Sequence, residues 1–335
     1  MSREFIISNE DDAYEVLKTL MDEHLDPSKF TIELKGWPTI NLHLTGDKYH
    51  QTITPSMMKG FLELQKGIYR SYALTKYKSP NTNKLTKAER DELEIEVKVS
   101  NGSSNYDINL QSLLEKFIST GVDKMDGSQI VVVILGVFLT YAGSTAFRYY
   151  LDTRRQEKEQ EVASAEKLAQ LDTMKKMSEE ETERTKILAQ LVRQNATFDN
   201  VQRTAYDTTT ELLKSMRNAD AGSFQGIEIT GSQADLITQN ARRKSSDVRL
   251  DGRYRILSVD SSHHEDFKVK VRDIDSGDTF NAKVQDDSLT DTFLKRLQKA
   301  EWEKKPVELK INAKEKDNII SAALVIDVQQ VIEPE

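Results

Sequence analysis

The chain has 335 residues, 30% of them charged and 37% hydrophobic, with a formal net charge of −8. That length allows two or three domains, and so polar a composition argues for a chain that is partly extended and solvated. Cysteine is absent, which excludes a disulfide framework, a thiolate metal site and a cysteine nucleophile, and no block concentrates charge of one sign as a nucleic-acid face or acidic tail would.

The opening MSREFIISNEDD has no apolar stretch of signal-peptide length. Residues 1–127 read as a small α+β domain. A strand over 4–8 is followed by a helix over 11–25, capped by Asn9 and the acids behind it. Residues 30–35 and 39–44 alternate as a strand pair turned at Gly36-Trp37-Pro38. Thr54-Pro55 opens a helix to about Lys76, proline being favoured in a first turn. Strands over 93–99 and 106–110 and a helix over 110–119 complete the domain.

Residues 129–147, QIVVVILGVFLTYAGSTAF, carry no charge over 19 positions. A membrane-spanning helix needs about 20. Arg148, Tyr149, Tyr150, Arg154 and Arg155 follow, as interfacial aromatics and snorkelling cations would. The expectation is a single-pass transmembrane helix within 128–151, in a bacterial inner membrane with membrane lipid as a partner. The lysine and arginine count on its two flanks places the C-terminal side in the cytoplasm. The competing reading is a buried core helix. Gly136, Thr140, Gly143 and Ser144 fall on one stripe, where small residues let membrane helices associate.

No glycine lies between Gly143 and Gly222, and no proline between Pro80 and Pro306. Residues 152–220 are therefore expected to continue the helix as a coiled-coil-like stalk, part of an uninterrupted rod on the order of 130 Å long. Phe198, Val201, Ala205, Thr208, Leu212 and Met216 recur at three and four and form its seam. A helix with such a stripe needs a partner, and a homo-oligomer is the expected one. The stretch 178–185, SEEETERT, has no apolar residue and is either a solvated helical turn or the bend of a hairpin.

Residues 221–248 read as a linker with a short helix near 233–239. Residues 249–335 follow the order three strands, a helix, two strands, with the helix near 289–303. This is the order of a small OB-like barrel, an SH3-like barrel and a ferredoxin-like sheet being the alternatives. Lys268, Lys270 and Arg272 alternate on one face of the second strand, but Asp273, Asp275 and Asp278 lie beside them, so no nucleic acid is expected.

Chemistry is sparse. His43 and His50 have no second ligand at a useful spacing, and His263-His264-Glu265-Asp266 reads as a wet hairpin loop. Gly226 to Gly231-Ser232 has a phosphate loop's glycines without its lysine. Arg242-Arg243-Lys244 is a basic run in the linker. No catalytic residue, cofactor or metal is expected. The function expected is a membrane-anchored oligomeric scaffold that carries recognition domains for an unknown protein partner. A membrane-perturbing effector of a toxin or anti-viral system is the alternative, and an enzyme with an unrecognised site in 1–127 a third.

Overall fold

A computed structural model describes residues 3–23, 29–100, 104–121, 127–161, 164–174, 177–239, 246–262, 266–285, 291–316 and 319–331. The chain divides into two compact units, Met1–Ala241 and Arg242–Glu335.

In the first unit β1 (Arg3–Ile7), α1 (Glu10–Glu23) and β2 (Phe30–Leu34) form a β-α-β turn, with β2 parallel to β1. The next strand, β3 (Thr39–Thr45), does not pair with β2 as the Gly-Trp-Pro turn had suggested. It is the middle of a second sheet, ordered β4-β5-β3-β6-β7. Here β4 is Val97–Ser100, β5 Ser104–Asn109, β6 Ala221–Phe224 and β7 Ile227–Thr230. The expected linker is thus partly sheet, because Leu42, His43 and Leu44 pair with Phe224, Ser223 and Gly222. Helices α2 (Pro55–Tyr77), α3 (Lys87–Glu92) and α4 (Gln111–Gly121) complete the first half.

The uncharged run does not form a straight span. It divides into α5 (Gly127–Ala142) and the start of α6 (Ser144–Glu161), which are bent by 65°. No single helix among the described residues is long and apolar enough to cross a membrane, and only this bent pair passes by length and composition. The cause is local. Gly143 sits where a Cβ would fall 2.2 Å from the Leu139 carbonyl. One residue on, the Glu10 carboxylate accepts from Ser144 N (2.7 Å), Ser144 Oγ (2.6 Å) and Thr145 N (3.0 Å). An acid there satisfies orphan amides and meets the positive end of the α6 dipole. From Ile130 to Ala142 every side chain is buried, so protein takes the place that lipid was expected to fill.

The expected stalk is also divided. Helix α7 is Ala165–Asp172, α8 Glu179–Gln194 and α9 Ala196–Met216. The starts of α8 and α9 are made by caps rather than by glycine or proline. Ser178 and Glu181 form a capping box at the start of α8, and the Asn195 side chain accepts from Phe198 N at the start of α9. The seam of α9 is buried within the chain. Its partner is α2, where a Cβ at Gly60 would lie 2.9 Å from Ser215 Oγ and one at Gly67 would lie 2.3 Å from Thr208 Oγ1. Glycines seven apart on α2 thus meet hydroxyl residues seven apart on α9, and the backbones approach closely. Helix α10 (Gly231–Thr238) ends the unit.

The second unit is a closed five-stranded barrel. Its strands are β8 (Ser246–Asp260), β9 (Asp266–Asp273), β10 (Thr279–Gln285), β11 (Val307–Lys316) and β12 (Ile319–Val331), with α11 (Asp291–Trp302) between β10 and β11. Order around the barrel is β10-β12-β11-β8-β9, and only β10 and β12 run parallel. Alternation along each strand sends Tyr254, Val269, Val271, Val284, Leu309, Ile311 and Val325 into the core, where Leu297 and Ala300 of α11 join them.

Candidate anion-binding groove on the C-terminal barrel

The same alternation that fills the barrel places a row of cations outside it. On β9, Phe267, Val269 and Val271 turn inward, so Lys268, Lys270 and Arg272 turn outward and are exposed. Register with β10 sets Lys283 opposite Lys268 and Asn281 opposite Lys270. Register with β8 sets Arg255 opposite Arg272 and Ser258 opposite Lys270. Two like-charged pairs, Lys268 with Lys283 and Arg255 with Arg272, therefore face each other directly. Such pairs sit with Cβ atoms about 5 Å apart and each costs a few tenths of a kcal/mol or more.

Register with β8 sets one acid, Asp260, opposite Lys268. Among the described residues no acid lies within ion-pair distance of Arg255, Lys268, Lys270 or Arg272. Asp275 is bound to Arg253 (2.7 Å), and Asp273 Oδ1 accepts from the turn amides of Asp275 (2.8 Å) and Ser276 (2.9 Å). The acids set against the lysines in the sequence are thus occupied in building the β9–β10 turn, which Gly277 closes with φ of +75°.

The row runs into a groove of about 920 Å³ at the barrel wall. Lys268, Asn281 and Lys283 belong to both. Across it stand Arg249, Asn312 and Lys314, with Asp247 the one acid of the lining. Arg249 is held in place by Asp251 (2.8 Å) and by Asn312 Oδ1 (2.9 Å). Ala282, Ala313 and Ala323 keep the floor low, since register brings Ala313 opposite Ala323. No aromatic side chain is presented by β9 or β10, because Phe267 and Phe280 pack against the core. The groove therefore offers cationic and amide donors to an anion, without a stacking surface on those strands.

The residues singled out in the sequence lie elsewhere. Gly136 seats Leu191 and Phe198, to whose atoms an added Cβ would come within 2.6 and 2.7 Å. Thr140 Oγ1 donates to Gly136 O of its own helix (2.8 Å), while Gly143 and Ser144 form the bend. Phe198, Val201, Ala205, Leu212 and Met216 are all core. In this structure neither set is on a surface. Gly226 is a hairpin turn and Gly231 begins α10 behind a Thr230 cap, so the two do not form a phosphate loop. His263-His264-Glu265 and Arg242-Arg243-Lys244 lie outside the described residues.

Sequence reasoning saw Lys268, Lys270 and Arg272 but not Arg255, Lys283 or Arg249, because only strand register brings them together. One signal was available: a run Asp273 to Asp278 ending in Ser-Gly-Asp is a turn that consumes its own acids.

Comparison of the chain with family models, with curated proteins and with solved structures finds no match in any of the three.

Proposed function

We propose that the chain is a non-catalytic recognition protein whose C-terminal barrel, of the OB type, holds an extended phosphate-bearing strand in the groove of its outer face. The observation that carries this reading is the pair of opposed like charges, Lys268 with Lys283 and Arg255 with Arg272, on the outer face of β8, β9 and β10. Self-repulsion of that kind is relieved when a polyanion binds and releases its counterions. The position agrees, since barrels of this type take oligonucleotides on the second and third strands and the adjoining loops. The sequence-based expectation of no nucleic acid rested on three aspartates and on the lack of exposed aromatics on these strands; two of the aspartates are accounted for by the turn and by Arg253, while Phe267 and Phe280 do pack against the core.

The test is fluorescence anisotropy of a labelled 20-nucleotide oligothymidylate with the full chain. Four phosphate contacts give a slope of log affinity against log salt of about −3. Lys268→Glu with Lys270→Glu should bring it to about −1.5. Absence of binding at 50 mM salt, or a slope indifferent to the double substitution, sinks the reading.

A second reading has one observation of its own. The uncharged run 129–147 is stored inside the first unit and bent under the Glu10 carboxylate. Released, it has the length and composition to enter a bilayer. In that reading the chain perturbs a membrane when the first unit opens. Calcein-loaded anionic vesicles would leak with Glu10→Ala faster than with the unsubstituted chain, and equal leakage refutes it.

A further inference from the structure

The first unit has an edge that the barrel reading leaves unused. Strand β7 is the last of its sheet, paired only through β6. The two strands are joined by Gln225 (φ 52°) and Gly226 (φ 73°), a two-residue turn with both φ positive. Hydrogen bonding in such a hairpin alternates pair by pair. Gln225 N donates to Asn41 O (2.9 Å), so the odd-numbered residues of β6 turn their main-chain groups toward β3. Ser223 is one of them, and Glu228 lies opposite it. Glu228 therefore receives no bonds from β6, and its N–H and C=O both point out of the sheet edge. Thr230, two residues on, points the same way, and Gln233 Oε1 takes its N–H (2.9 Å). Among the described residues the groups of Glu228 have no such partner.

Glu228 and the other three residues of β7 also line a groove of about 650 Å³, which takes in His43 and Thr45 of β3 and Ala221 to Ser223 of β6. Its far wall is Arg148 and Leu151 of α6 with Thr173 and Met174 beyond α7. Arg148 donates Nε to Glu181 (2.5 Å), so its charge is compensated, and Leu151 and Met174 add apolar surface beside it. The Glu228 carboxylate is exposed, and no cation among the described residues pairs with it.

We infer that this groove docks an extended peptide segment of a partner protein by strand addition to β7, with a lysine or arginine of the peptide against the Glu228 carboxylate and an apolar neighbour against Leu151 and Met174. A main-chain donor and acceptor from one residue, side by side on a sheet edge, match the spacing of an extended backbone. The charge beside them, unpaired among the described residues, is negative, which selects a basic residue. This groove is independent of the barrel and would stand if the barrel bound nothing.

The test is a random heptapeptide library displayed on phage and panned against the full chain, with counter-selection on Glu228→Pro. Proline deletes the outward N–H, which the β6–β7 ladder does not use. Enriched peptides should carry Lys or Arg next to an apolar residue. Resynthesised with a fluorescent label, they should bind Glu228→Pro at least tenfold more weakly and Glu228→Gln about threefold more weakly. N-methylation of the one peptide amide that meets Glu228 should cost as much as the proline, while N-methylation of its neighbour should not. This arm decides alone if the proline variant does not fold. Failure to enrich any peptide, or affinity unchanged by proline and by N-methylation, overturns the proposal. So does light scattering that finds a dimer made monomeric by Glu228→Pro, since the occupant would then be a second copy of the chain.

Discussion

Two carboxylates, Glu89 buried and Glu10 half-buried, show how single residues hold the first unit. Glu89 accepts from Tyr77 OH (2.9 and 3.0 Å), from Thr86 N (2.7 Å) and from Lys76. Burial alone would raise its pKa, but the hydrogen bonds from Lys76, Thr86 and Tyr77 outweigh it and hold the carboxyl at about 2, below the ordinary 4.5. A depressed folded-state pKa contributes stability that is complete above about 4.5 and is lost as the pH falls toward 2. Glu89→Gln should therefore cost about 2–3 kcal/mol at pH 7. That deficit should shrink steadily below pH 4.5, as chemical denaturation of both proteins across pH 2–7 would reveal. Glu10 acts at longer range in sequence, since it caps a helix 134 residues away. Glu10→Ala should cost about 1–2 kcal/mol, because three donors lose their acceptor and the α6 dipole loses its counter-charge. Thermal unfolding measures it, and a loss under 0.5 kcal/mol would mean the bend rests on Gly143 alone.

At the scale of elements, most helices and barrel strands were legible because their signals are local. The alternation of β9 and β10 and the Pro55 start of α2 read directly from neighbouring residues. The stalk failed because glycine and proline were taken as the only helix breakers. Ser178 with Glu181 and the cap at Asn195 end helices as surely, by offering amides a better acceptor than the next turn. The seam was legible as apolar spacing, but spacing names no partner, and α2 supplies one inside the chain. Leu212→Asp should therefore unfold the first unit rather than split an oligomer. The cost is several kcal/mol if the charge remains buried. Gly67→Leu should be as damaging, because an added Cβ would fall 2.3 Å from Thr208 Oγ1 and 3.0 Å from the Tyr141 hydroxyl. Circular dichroism melts of both variants check this. A melt unchanged by Leu212→Asp would return the seam to an external partner.

At the scale of the whole molecule, the chain is two compact units, so calorimetry should resolve two transitions, with Leu212→Asp shifting only one of them. A single transition displaced as a whole would show the units unfold together. The barrel was the legible unit because its strands follow one another in sequence. The first unit was not, because its central strand β3 is flanked by β5 and by β6, the latter some 176 residues farther on. The uncharged run was ambiguous for a related reason, since 19 uncharged, mostly apolar residues have one composition whether lipid or protein buries them. That topology has a consequence during synthesis. The run at 129–147 leaves the ribosome before α8, α9 and the β6–β7 hairpin that belong to its unit exist. At roughly 5–20 residues per second, the stretch from Phe147 to Thr230 takes about 4–17 s to make. Throughout that interval the nascent chain presents a hydrophobic segment to chaperones and to the insertion machinery, and its own late helices must arrive in time to withdraw it.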